Sequence, residues 1–231
     1  MLFRSLAPLY AGAKLTYCDS LKPANIRLFL RDTKTKAVIC VPLVIKMLHD
    51  AVIDQIDNNS RWQQNIFWAA TNLSKLLLKL NLRLGKILFF RLHSEFGGHL
   101  RVLVSGGAPL SKEVEINFNA WGFRILQGYG LTETSPVISV NTYTCNRFGS
   151  VGKPLPGVEV KILKSNDSAV EGEILTRGQH VMKGYFRSPQ KTSEIIDKQG
   201  WLHTGDIGYF DYEGYLYISG RIRSMIVLGA G

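Results

Sequence analysis

Between Gln127 and Pro136 the chain reads Gln-Gly-Tyr-Gly-Leu-Thr-Glu-Thr-Ser-Pro, which sets an aromatic ring between Gly128 and Gly130, then a hydroxyl at Thr132 and a carboxylate at Glu133. These residue types in this order suit a nucleotide. Glycine lets backbone come close to a flat ring or a phosphate. Tyr129 can cover the face of a base, Thr132 can hydrogen-bond a phosphoryl oxygen, and Glu133 can hold a hard cation that bridges phosphates. A Gly-Tyr-Gly alone is a weak signal, but three further stretches share its character. They are Ser105-Gly106-Gly107-Ala108-Pro109-Leu110, Gly200-Trp201-Leu202-His203-Thr204-Gly205-Asp206, and Gly220-Arg221-Ile222-Arg223-Ser224-Met225-Ile226-Val227-Leu228.

The flanking residues predict the elements that carry these motifs. Leu100–Ser105 reads as a strand running into Gly106-Gly107. Ser111 is expected to cap the following helix, with Glu113 and Glu115 in its first turn, Val114, Phe118 and Trp121 on its apolar face, and Gly122 ending it. Phe123–Gln127 reads as a second strand, which delivers Gly128-Tyr129-Gly130. Two strand-to-loop transitions thus flank one helix, and open α/β sheets favour ligands at the carboxyl ends of their strands. Upstream, Val38–Pro42 reads as a buried strand closed by proline. A helix follows over about Leu43–Ile56, and Asp57-Asn58-Asn59-Ser60 breaks it. After about Asn146 the texture changes. Val158–Leu163 alternates, Gly172–Gly178 is a strand between glycines, and Ile207–Phe210 with Tyr215–Ile218 flanks a hairpin turn at 211–214. Short strands at close spacing predict a small β-barrel or half-barrel.

In order and spacing the four motifs resemble the adenylate-forming (AMP-binding) superfamily, and within it most the long-chain fatty-acid–CoA ligases (acyl-CoA synthetases). The resemblance implies an α/β fold: a partial layered sheet-and-helix subdomain over 1–145 and a small β-barrel subdomain over 146–231, ending at an interdomain hinge. It implies a helix in the first residues and a strand over Ala13–Cys18. It implies activation of a long-chain fatty acid as acyl-adenylate, with ATP and Mg²⁺, and transfer of the acyl group to CoA. Gly107, Ala108 and Pro109 would line the adenine pocket, Tyr129 between Gly128 and Gly130 would stack on the base, and Thr132 would touch the α-phosphate and the substrate carboxylate. Glu133 would ligate Mg²⁺, Asp206 would bind the ribose hydroxyls, and Arg221 would contact ribose or phosphate. His203 reads as structural. The family's phosphate loop, of the type T-S-G-T-T-G-x-P-K, does not occur between Met1 and Gly231, and Ser224 stands where an acidic hinge residue is usual. The chain is therefore expected to be a fragment of the large N-terminal domain, truncated at both ends. A catalytically incomplete remnant with a nucleotide pocket, and an adenylating enzyme using another acid or an acyl-carrier-protein thiol, stay open as alternatives.

Composition narrows the setting. The 231 residues are 45% hydrophobic and 20% charged, which is ordinary for a globular protein that buries a real core. Cys18, Cys40 and Cys145 show neither metal nor disulfide spacing, read as small buried residues, and point to a reducing cytoplasm. The apolar run at Met1–Ala13 is read as part of the fold and not as a signal peptide. The net charge of +10 resides mainly in the first hundred residues. No zinc spacing, helix-turn-helix or RNA-binding aromatic pattern supports a nucleic-acid partner. From Arg61 to His93 there is no acidic residue, while Leu73, Leu76, Leu77, Leu80 and Leu84 repeat at helical spacing beside Lys75, Lys79, Arg83 and Lys86. Two readings of this stripe stay open: a peripheral contact with an anionic membrane on its cytoplasmic face, or an amphipathic surface helix with a solvated basic side.

Overall fold

The computed structural model describes residues 8–222. The expected helix over the first residues in part, and Arg223 to Gly231 with Ser224 and the hinge, lie outside the described residues. The backbone groups into two compact units, 1–126 and 127–231.

The first unit is built from α1 (Pro23–Asp32), β1 (Ala37–Cys40), α2 (Pro42–Asp57), α3 (Arg61–Lys79), two short helices α4 (Gly85–Leu88) and α5 (Phe90–Glu95), β2 (Val102–Gly106) and α6 (Lys112–Ala120). Ala13–Cys18, expected as a strand, joins no ladder. Strands β1 and β2 run parallel, from Ala37 opposite Val102 to Cys40 opposite Ser105. The buried strand expected at Val38–Pro42 is an outer strand, with Ile39 exposed and Cys40 buried. Pro42 opens α2 in its first turn, where a missing N–H costs no intrahelical bond. Val44, Ile45, Leu48 and Val52 then fall on one face and enter the core. That core closes on Leu103, Phe118, Trp121, Phe123 and Ile125. Ser111 precedes α6 without a side-chain cap bond, and Gly122 ends it at φ +95°. Trp121 lies just past the helix; Glu113 and Glu115 stand in its first turn as expected, and Glu115 is fully buried.

The leucine stripe does not form one helix. Helix α3 stops at Lys79, and Asn81 adopts φ +60°. Its inward side is not the leucine row but Phe67, Ala70, Thr71 and Ser74. Ser74 Oγ donates to the Ala120 carbonyl at 2.6 Å, and Trp121 Nε1 donates to Thr71 Oγ1 at 3.2 Å. His93 Nε2 sits 2.9 Å from the Trp121 carbonyl, so that nitrogen carries the proton. Two cysteines depart from expectation: Cys18 and Cys145 are exposed and only Cys40 is buried.

In the second unit, the end of β3 (Arg124–Tyr129) pairs antiparallel with β4 (Ser139–Val140), and β4 with β5 (Lys153–Pro154). Four antiparallel strands follow in the order β6 (Glu159–Lys164), β7 (Gly172–Arg177), β8 (Leu202–Phe210), β9 (Leu216–Arg221), with α7 (Pro189–Ile195) beside β8. The strands foreseen for a barrel are all present, but among the described residues β6 and β9 do not pair, so the sheet is open. A register shift between Ile207 and Gly208 bends β8, and Asp211 Oδ1 fastens the hairpin by accepting from the Glu213 and Tyr215 N–H groups.

Candidate functional site

Antiparallel pairing of β8 with β9 sets Asp206 opposite Arg221, and Arg221 Nε lies 3.4 Å from Asp206 Oδ1. Tyr129, the last residue of β3, donates its hydroxyl to Asp206 Oδ2 at 2.7 Å. Both oxygens of this buried carboxylate are therefore engaged by protein groups, one strongly and one by a longer ion pair. Burial pushes the Tyr129 phenol well above its usual range, and the adjacent carboxylate adds to the effect. Gly205, at φ +71°, turns the backbone just before Asp206. Glu173 on β7 holds that turn at two points: Oε1 accepts from the Gly205 N–H at 3.1 Å, and Oε2 is 2.9 Å from His203 Nδ1. Thr204 completes the clasp by donating to the Ile174 carbonyl and accepting from the Asp206 N–H.

The Gly-Tyr-Gly loop has a purely steric requirement of its own. A Cβ on Gly130 would fall 1.9 Å from the Pro136 carbonyl oxygen, whereas one on Gly128 would meet the Ser139 carbonyl at 3.4 Å. Past Gly130, Thr132–Thr134 form a single 3₁₀ turn held by Thr134 Oγ1 on the Leu131 N–H. Thr132 is exposed at its start, and Glu133 Oε1 accepts from the Tyr185 hydroxyl at 2.8 Å. A cleft of about 350 Å³ opens here, within the range of small-molecule sites. Glu133, Tyr185, Glu173, Glu194, His203 and Arg221 are among its walls. In the first unit, Gly107, Ala108 and Pro109 are exposed on the loop after β2, and Gly107 takes φ +89° with open space where a Cβ would stand.

Asp206 thus contacts both Tyr129 and Arg221, and Glu133 shares the cleft with Arg221, while Tyr129, Thr132 and Asp206 stand outside its walls. Among the described residues no three His, Cys, Asp or Glu side chains form a metal cluster. The donor set around Glu133 still fits Mg²⁺, which takes one or two protein carboxylates and completes its shell from phosphate and water. Sequence reasoning missed Tyr185, Glu173 and Glu194. Tyr185 is 52 positions from Glu133, a separation that no spacing rule flags, and Glu173 sits in a segment that reads only as a strand between glycines.

An α/β fold in which these glycine-bounded motifs follow one another defines the class of adenylate-forming enzymes. Residues 1–186 match the AMP-binding enzyme family, and the chain belongs to that family. It is 30% identical to the long-chain-fatty-acid–CoA ligase FadD15 of Mycobacterium bovis, over 98% of this chain and 38% of that protein. It is 33% identical to the luciferin 4-monooxygenase of Nipponoluciola cruciata, over 97% of this chain and 35% of that one. The crystal structure of ATP-bound MatB from Rhodopseudomonas palustris superposes with a TM-score of 0.68 at 27% identity, covering 94% of this chain and 37% of that chain. The chain thus spans little more than a third of the length of the relatives it matches. No helix among the described residues is long and apolar enough to cross a membrane.

Proposed function

We propose that this chain is a segment of an ATP-dependent, AMP-forming ligase that activates a long-chain fatty acid as acyl-adenylate and passes it to CoA. The observation that carries the reading is the contact of Tyr129, Asp206 and Arg221 beside the Glu133 cleft. In this reading the Tyr129 ring stacks on the adenine, the two Asp206 oxygens accept from the ribose hydroxyls, Arg221 contacts the ribose or a phosphate, and Thr132 touches the α-phosphate and the substrate carboxylate. Gly107, Ala108 and Pro109 form the adenine wall. Glu133 is the protein ligand for Mg²⁺, whose chemistry is to neutralise the phosphates. The fatty carboxylate is already ionised and needs no general base. It attacks the α-phosphorus, the bond to the pyrophosphate oxygen breaks, and a thiol later displaces AMP from the acyl carbon.

The subdomain division at 145/146, a cytoplasmic setting, and fatty acid, ATP and CoA as ligands belong to the same proposal. Resemblance to FadD15 supports the acyl branch; comparable identity to a luciferin 4-monooxygenase supports another acid as the alternative substrate, and an acyl-carrier-protein thiol is the alternative acceptor. Absence from the sequence of a lysine phosphate loop supports weak or no turnover by the 231 residues alone, because backbone N–H groups and a lysine cradle the triphosphate in such loops. Equilibrium binding of a fluorescent AMP analogue tests the reading. Asp206→Ala should weaken binding at least tenfold, and binding equal to wild type would reject the assignment. Incubation with palmitate, ATP and Mg²⁺ should release no pyrophosphate above background; turnover that disappears in Glu133→Ala would overturn the expectation of an inactive segment.

A further inference from the structure

Helix α3 carries apolar residues on its outward side as well as on the side that packs against the core. Its protein-facing side includes Phe67, Ala70, Thr71 and Ser74, and its outward side carries Trp62, Ile66, Leu73 and Leu76, with Leu80 at the C-cap. Leu76 is 56% exposed and Leu80 65%. The apolar surface continues past the helix through Leu82, Leu84, Ile87, which is 72% exposed, and Phe90. Two contacts with one carbonyl bring these segments together. Ser74 Oγ donates to the Ala120 oxygen at 2.6 Å, and Gly85 packs so closely on the same oxygen that a Cβ there would lie 2.3 Å from it. The residues next to these two anchors, Leu73 and Leu76 on one side and Leu84 and Ile87 on the other, therefore share one neighbourhood. Lys75 and Lys79 border the leucine row one helical turn apart, and Arg83, Lys86 and Arg91 are exposed in the continuation. Between residues 58 and 94 there is no Asp or Glu at all.

We propose that this surface, α3 with the segment through Phe90, docks peripherally on an anionic lipid membrane. Leucine, isoleucine, phenylalanine and Trp62 would enter the boundary between headgroups and acyl chains, while the lysine and arginine stems reach back to lipid phosphates. Charge complementarity selects the occupant. A wide apolar row on a soluble surface marks some interaction, and a border of one sign with no acid in 37 consecutive positions is matched by a surface that is anionic everywhere, not by a protein groove of mixed charge. The proposal stands apart from the ligase reading, since it needs no nucleotide.

Co-sedimentation of the 231-residue chain with vesicles tests it without ATP. The vesicles are phosphatidylcholine alone or phosphatidylcholine with about a third phosphatidylserine, at low and physiological salt. Binding should require the anionic lipid and fall as salt shortens the Debye length. At about fivefold in affinity for each basic residue near the surface, Lys75→Glu with Lys79→Glu should weaken it by at least about twenty-fivefold. Leu76→Ser with Leu80→Ser should also weaken it, although every charge is retained; these side chains face outward, and unchanged circular dichroism checks the fold. Emission from Trp62 should shift to the blue on anionic vesicles, and Trp62→Phe should remove that shift. Equal binding to neutral and anionic vesicles overturns the proposal. So does no binding to either, or retention of binding by either double variant. Concentration-dependent self-association that the Leu76→Ser/Leu80→Ser variant abolishes, with no lipid binding, would assign the surface to a second copy of this chain and refute the membrane.

Discussion

Tyr129→Phe removes one oxygen and leaves the ring that packs against Ile138, Ile174 and Leu216 in place. The lost group is the donor to Asp206 Oδ2 at 2.7 Å, on a carboxylate whose side chain is only 11% exposed. The remaining partner, Arg221, is 3.4 Å away and more than half exposed, so it offsets little of the loss. A hydrogen bond to a charged group contributes about 1.5–3 kcal/mol. Tyr129→Phe should therefore destabilise the fold by about 2 kcal/mol, which lowers the Tm by about 4–8 °C in a chain of this size. A double-mutant cycle isolates the interaction: Tyr129→Phe, Asp206→Asn and the pair, each measured by urea unfolding with an unchanged m-value. Coupling of about 1.5–3 kcal/mol is expected from the same bond energy. Additive effects, with coupling below about 0.5 kcal/mol as for distant sites, would show that the phenol and carboxylate do not hold each other and would remove the geometric basis of the site.

The two glycines of the Gly-Tyr-Gly motif should separate by substitution. Gly130→Ala forces a methyl against the Pro136 carbonyl and should cost about 1–3 kcal/mol or more, while Gly128→Ala meets only ordinary contacts; equal thermal shifts in the two variants would contradict this. His93 should make stability depend on pH. Burial lowers its pKa below the usual value, and its Nδ1 has no hydrogen-bond partner. Below pH about 6.5 the unfolded chain takes up the proton first, so stability should be full above that pH and decline as pH falls toward the lower folded pKa. His93→Gln should flatten this slope between pH 7 and 5, leaving the slope due to His180, which burial lowers as well; an unchanged slope would refute the assignment. Gly85→Ala should destabilise the first unit, because its Cβ has only the backbone of Ala120 and Gly122 to meet; thermal melting reads it, and an unshifted Tm would show that α4 is not held there.

The elements foreseen most closely were those with a strong local signal. Helix α2 extends one residue beyond its expected range at each end, Pro42 starting it and Asn58 following it, and the hairpin around Asp211 follows from turn chemistry within five residues. The departures arise from tertiary choices that local spacing does not encode. Leucine periodicity at 73–84 is compatible with either face inward, and what turned it outward was Thr71 and Ser74 finding Trp121 and Ala120 about fifty positions away. Glu115 reads as a helix-start carboxylate from its position alone, yet packing draws it inside. At the candidate site the sequence supplied Tyr129, Asp206 and Arg221 as separate motifs. Their contact depends on the register of β8 against β9 and on where β3 ends, which only the assembled sheet defines.

The outer strands of the two units differ in how they would meet another chain. Strand β6 presents Glu159, Lys161 and Lys164 along its length, and Lys161 is already committed to the Trp201 ring at 4.1 Å. A foreign strand adding there would have to desolvate those charges, which blunts edge-to-edge pairing. Strand β1 itself carries no charged side chain. Its four residues are Ala-Val-Ile-Cys, with Ile39 exposed and Val41 exposed just beyond. Of these two strands, β1 is the one on which edge-to-edge self-assembly would meet no charge. A lysine at Ile39 would be the economical route to a soluble, monodisperse preparation.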